Sequence, residues 1–181
     1  MLSKILIFIA FIAISLLVAG LFGAVHDQIS YTVSPEYFTR FKFIQFHLVN
    51  SDLPERVRAG IVGFKASWWM GIPLGVLCGA AGFVQRTPLI MLRALTFSLA
   101  IAVAVVLLAA LAGLVYGWFQ TRSVDLGAYA GWYVPRGLND VRAFLCAGYM
   151  HNAAYLGGVF AIPVIWAFHM RFRAAHRAAR P

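Results

Sequence analysis

Four stretches of this chain are apolar over roughly the length of a membrane crossing, and that feature constrains the fold more than any other. A helix rising about 1.5 Å per residue needs about 20 residues to cross a hydrocarbon core of about 30 Å. Ile5–Val25, Ala66–Val84 and Ala94–Phe119 run apolar for about that distance, and Ala143–His169 is broken only by single polar residues. In hydrocarbon the backbone must satisfy its own hydrogen bonds, which leaves helices as the spanning element for runs of this kind. Composition agrees, because 62% of the residues are hydrophobic and 12% charged. A water-soluble domain would be about half apolar and a quarter charged, so lipid is the expected solvent.

The expected fold class is therefore all-α: a membrane bundle of four transmembrane helices forming one integral domain over residues 1–181. The spans are expected at about 5–25, 60–84, 88–118 and 142–169, with an outer segment at 26–58, an outer loop at 119–141 and a basic tail at 170–181. Lys4 followed by an apolar run resembles a secretory signal. The run is 21 residues against about 7–15 for a signal core, so it reads as a retained span. Cys78 and Cys146 fall in different spans at different expected depths, which argues against a disulfide.

Charge sets the expected orientation. The N-terminus, the 85–93 turn and the tail carry Lys4, Arg86, Arg93, Arg171, Arg173, Arg177 and Arg180 with no acidic residue. All six acidic residues and the other eight basic ones lie on the opposite side. Basic residues mark the cytoplasmic side, so both termini are expected in the cytoplasm of a bacterial inner-membrane, multi-pass protein. The net charge of +9 follows from this asymmetry and from a tail suited to anionic headgroups. The expected partner is the lipid bilayer, with no nucleic acid.

Local signals mark the helix boundaries. Thr87-Pro88 reads as an N-cap with proline in the first turn, and Asn139 or Asp140 can cap the last span. Ser51 or Asp52 can start the second helix. Pro73 and Pro163 are expected to kink the second and fourth spans. Ser34-Pro35-Glu36 opens a further helix, and Tyr37, Phe41, Ile44 and Leu48, widened by Phe38, share one face. This predicts a short amphipathic helix over about 35–48 at the outer face. Small residues recur at Gly63, Ser67, Gly71, Gly75 and Gly79, again at Ala109, Gly113 and Gly117, and around His151. Such stripes let helices approach closely, within the chain or onto a homo-oligomer or larger membrane complex.

Ionisable residues inside a span are costly and so are functional candidates. His151 lies about three turns into the fourth span; His26 and Asp27 close the first, and Glu36 follows shortly after. Two imidazoles with one or two carboxylates form a candidate shell for zinc, iron or manganese. The metal set is His26, Asp27, Glu36 and His151, with Asn152, Tyr155 and His47 as neighbouring ligand-binding candidates. Haem between His26 and His151 is a weaker alternative. A structural account covers the same residues: helix-end polar groups, a cap-type Glu36 paired with Arg40, and an interhelical hydrogen bond from His151. His169 and His176 read as part of the solvated basic tail. No HExxH, ExxH, nucleophile elbow or phosphate loop is present, so no catalytic residue is assigned.

The segments HDQISYTVSPEYFTRFKFIQF (26–46), KASWWMGIPLG (65–75) and YMHNAAYLGG (149–158) resemble a group of small, uncharacterised bacterial membrane proteins. In that group, HDQI–YT–SPEYFT, WWMG-like and MHN–YLGG stretches recur in this order. The resemblance implies a shared four-span architecture and places recurrent motifs on His26, Asp27, Glu36, His151 and Asn152. It implies no activity. Two functions remain open: a membrane protein binding a metal or small ligand near the outer leaflet, and a non-enzymatic accessory or assembly subunit.

Overall fold

The computed structural model describes residues 1–178, and no strand occurs among them. Arg180, placed above in the basic tail, lies outside the described residues. Helix α1 spans Leu2–Val33, α3 spans Glu55–Val84, α4 spans Pro88–Gln120 and α5 spans Val141–Ala178. Each is long and apolar enough to cross a membrane. Their apolar side chains are largely turned outward: Leu17, Leu21, Leu108 and Leu156 are all at least 60% exposed. Water would not tolerate four such faces, whereas lipid supplies their missing contacts.

The boundaries follow local chemistry. Thr87 accepts a hydrogen bond from the Ile90 amide ahead of Pro88, and Asp140 accepts one from Ala143. The second span opens differently from the sequence expectation. Its N-cap is Pro54, without a side-chain cap, and the Ser51 hydroxyl instead serves the Leu53 amide in the preceding turn. Within α3 the ladder tightens to a 3₁₀ turn at Trp68–Met70. Pro73 removes the N–H that the Trp69 carbonyl would use. Helix α5 continues through Pro163.

Small residues position the helices. A Cβ at Gly63 would stand 2.1 Å from the Gly23 carbonyl oxygen, and one at Gly71 would stand 2.5 Å from the backbone of Ser15 and Leu16. The stripe on α3 therefore packs against α1. On α4, Gly113 and Gly117 receive Tyr149 and Ala153 of α5. The resulting pairs, α1 with α3 and α4 with α5, close around a common interior.

Helix α2 (35–45) follows α1 directly. It runs as Pro35–Tyr37, a π-helical turn at Phe38–Lys42, and Phe43–Gln45. Ser34 caps it through the Tyr37 amide. The π turn corrects the predicted face. The Phe43 amide bonds the Phe38 carbonyl, five residues back, which brings Phe38 and Phe43 inward with Tyr37. Ile44, expected on the buried face, is 53% exposed. The extra residue in one turn shifts the register. Tyr37, Phe38 and Phe43 pack with Val62 and Phe144, so α2 plugs one end of the bundle.

Candidate metal centre

Just beneath this plug, α1 and α5 bring three chemically active side chains together. His26 and Asp27 are 4% and 3% exposed. Gly23, one turn earlier, admits α3 so closely that this part of α1 is drawn into the interior. His151 enters from α5. One Asp27 oxygen, Oδ1, lies 3.1 Å from His26 Nδ1 and 3.1 Å from His151 Nε2. The two imidazoles meet edge to face, with centroids 4.8 Å apart. Tyr37 covers His151 from α2, its ring 4.9 Å away and inclined by 31°. Burial drives the Tyr37 phenol well above its usual range, so it stays neutral.

His151 Nδ1 lies 2.8 Å from the Ala147 carbonyl oxygen. A carbonyl only accepts, so Nδ1 carries hydrogen and the neutral ring presents a lone pair at Nε2. That lone pair faces the Asp27 oxygen, another acceptor. An additional proton or a metal ion must occupy the contact. On the other side, His26 Nδ1 faces the same Asp27 oxygen and would be the ligating nitrogen, so Nε2 would keep the ring hydrogen. That atom is buried without a hydrogen-bond partner, as is the Ser30 hydroxyl one turn on.

Two of the three donor–donor edges have the length that a metal shell needs. Two metal–ligand bonds of about 2.0–2.1 Å at tetrahedral angles separate their donor atoms by about 3.3 Å, close to the 3.1 Å found on two edges. The third edge opens to as much as 4.8 Å, beyond the about 4.2 Å that two such bonds can bridge, so the two imidazoles would draw together on binding. His151 has the arrangement expected of a ligating imidazole, with one nitrogen facing the site and the other fixed by a backbone carbonyl. Among the described residues no other group of three His, Cys, Asp or Glu side chains is gathered this way.

The remaining candidates lie elsewhere. Glu36 accepts hydrogen bonds at 3.0 and 2.9 Å from the Asn139 and Asp140 amides and at 3.2 Å from the Asn139 side chain. These bonds hold its carboxyl below the usual range. Its position is explained by the unpaired amides at the start of α5. His47 is exposed, at a positive φ of 57° in the turn after α2. Asn152 is exposed beside His151, whereas Tyr155 lies along the cavity next to the cluster. Lys42 of α2 is lowered from its ordinary value by burial, and its ammonium rests 4.7 Å from the Phe41 ring centre.

A second polar cluster was not expected from sequence. His169, read as solvated, is fully buried at the opposite end of the bundle. Gln85 Nε2 donates to His169 Nδ1 at 3.1 Å and to its carbonyl at 3.0 Å. The His169 Nε2–H then donates to Ser98 Oγ at 2.9 Å, and Ser98 donates to the Ala94 carbonyl. Every proton here has one consistent place, so this histidine is neutral and structural. The contrast with His151 is informative: both imidazoles belong to the same span, and only one leaves its proton count open.

Cys78 and Cys146 are free and buried. The architecture and the outward apolar faces define an integral membrane helical bundle. Comparison with protein-family models, curated proteins and solved structures finds no match to this chain.

Proposed function

We propose that the protein holds a divalent transition metal, zinc, iron(II) or manganese(II), through His26, Asp27 and His151 within the membrane. The observation that carries this reading is the facing pair of acceptors, His151 Nε2 and Asp27 Oδ1, 3.1 Å apart. Two neutral imidazoles and one carboxylate suit these metals, and a three-ligand shell keeps a coordination position open for a further group. The alternative of an accessory subunit draws on the small-residue stripes. These are occupied by contacts within the chain, so they favour it less than the unbalanced cluster favours a metal.

The proposed setting is a bacterial inner membrane with both termini in the cytoplasm. The basic residues support it, together with the Lys4 ammonium's hydrogen bond to the Gln85 carbonyl, which puts the N-terminus and the 85–87 turn at one end. The metal reading is tested by elemental analysis of gently purified protein from metal-replete cells. Stoichiometric metal is expected in the wild type and in Gln85→Leu, and loss in Asp27→Asn and His151→Ala. Correctly folded wild-type protein without metal, even after direct titration, overturns the proposal and assigns an extra proton to the His151–Asp27 contact.

A further inference from the structure

The centre opens onto a groove that the metal reading alone does not explain. The groove is half open, has a cavity volume of about 120 Å³ and is bordered by all four spans. It follows α1 from Asp27 back to Phe11, and reaches Cys78 on α3 and Ile165 on α5. Sixteen residues of helix correspond to about 24 Å. The walls are side chains such as Val18, Phe22, Leu74 and Val106.

Its two ends differ. At the centre, His26 lines the groove while its buried Nε2 lacks a partner. At the far end the wall's polar groups are Ser98, whose hydroxyl is already committed to Ala94 and His169, and Ser15, which donates to the Phe11 carbonyl. The groove is thus apolar along its length and chemically unsatisfied at one end, which is the shape of an amphiphile site. Charge selects the head. A divalent ion held by two neutral imidazoles and one carboxylate keeps one net positive charge, which is costly in an apolar interior. A head bearing one negative oxygen donor removes that charge. An ester or alcohol would leave it, and a phosphate dianion would reverse it.

We infer that the centre and the groove together bind a long-chain carboxylate, with its head on the open metal position and its hydrocarbon tail along the groove. This rests on the metal reading, so the test separates the two. Zinc content of delipidated, zinc-loaded protein is measured first. Binding of nitroxide-labelled hexadecanoate is then followed by the immobilised fraction of its spectrum, with unlabelled hexadecanoate, methyl hexadecanoate and acetate as competitors.

Hexadecanoate should compete at least about tenfold more tightly than its methyl ester or acetate. Ala102→Phe and Ala19→Phe, which fill the groove, should weaken binding by a similar factor while retaining zinc. Wild-type protein gives a readout independent of both variants. Hexadecanoate should slow N-ethylmaleimide modification of Cys78, which lines the groove, and leave Cys146, which does not, unchanged. Zinc-loaded protein that binds ester as tightly as acid, or that leaves Cys78 unprotected, overturns this inference and leaves the metal centre standing. Protein that binds no zinc overturns the centre itself. Hexadecanoate binding that survives chelation overturns the coordinated head.

Discussion

Replacing Gly63 by alanine should disturb the centre more than it disturbs the fold. The added Cβ would stand 2.1 Å from the Gly23 oxygen and 2.5 Å from the Gly23 carbonyl carbon. Both are backbone atoms, so no side-chain rotation relieves the clash. Ordinary contact begins at 3.4 Å, so α1 and α3 must part by about 1.3 Å where they cross. Overpacking costs about 1–3 kcal/mol, and contact with backbone places this case near the upper value. Alanine recovers about 1 kcal/mol as the better helix former, which leaves a net loss of about 2 kcal/mol. The shift matters more at the centre. Gly23 precedes His26 by one turn on α1, while His151 belongs to α5. Displacing His26 and Asp27 relative to His151 should lower zinc affinity by about 10–100-fold. Gly60→Ala on the same helix is the control. Its Cβ meets only the Gln28 side chain at 3.3 Å, so it should leave zinc affinity intact and stabilise by up to about 1 kcal/mol. Thermal unfolding in detergent and zinc competition titration measure the two effects. Wild-type zinc affinity in Gly63→Ala would refute this account of how the centre is positioned.

Two further outcomes are expected. Glu36 has a folded pKa below its ordinary value of 4.5, so its bonds to the start of α5 contribute at neutral pH and are lost as pH falls through that lowered value. The unfolding midpoint of the wild type should therefore show an acid-dependent loss that Glu36→Gln lacks, and parallel curves would exclude it. Gln85→Leu leaves His169 Nδ1 and the His169 carbonyl without their donor, which should cost about 1–3 kcal/mol in unfolding measurements. Its zinc affinity should match the wild type, and a fall would show that the two buried clusters are coupled.

The bundle was legible because bilayer thickness turns apolar length directly into helices, and Thr87, Ser34 and Asp140 act as their local chemistry foretells. The centre was partly legible. The cost of burying a charge singles out His26, Asp27 and His151 whatever the packing. Their adjacency depends on which faces α1 and α5 turn toward each other, which no periodicity in a uniformly apolar helix reveals. Glu36 was misplaced for a related reason: the amides it satisfies lie more than 100 residues away, as its bond to Asp140 shows. His169 carried a signal that a tail reading overlooked, since it follows Trp166 and Phe168 on a helix that is still apolar. Its partner Gln85 stands in a turn where a solvated amide was the simpler expectation. The π turn in α2 has no sequence signature of its own, and the predicted stripe fails only downstream of it.

The centre joins the first spanning helix to the last, and Asp27 and His151 are 124 residues apart in the chain. At about 5–20 residues per second of synthesis, His151 emerges about 6–25 seconds after Asp27. Throughout that interval the first helix carries, near its end, a carboxylate whose exposure to lipid is unfavourable, by less than the about 2.5–3.5 kcal/mol of a mid-membrane position. Docking of α3 against Gly23 can shield it, but only the arrival of the fourth span completes the ligand set. Loading of the proposed metal would therefore await the fourth span: a nascent chain stopped before residue 151 would be inserted and helical, yet unable to load.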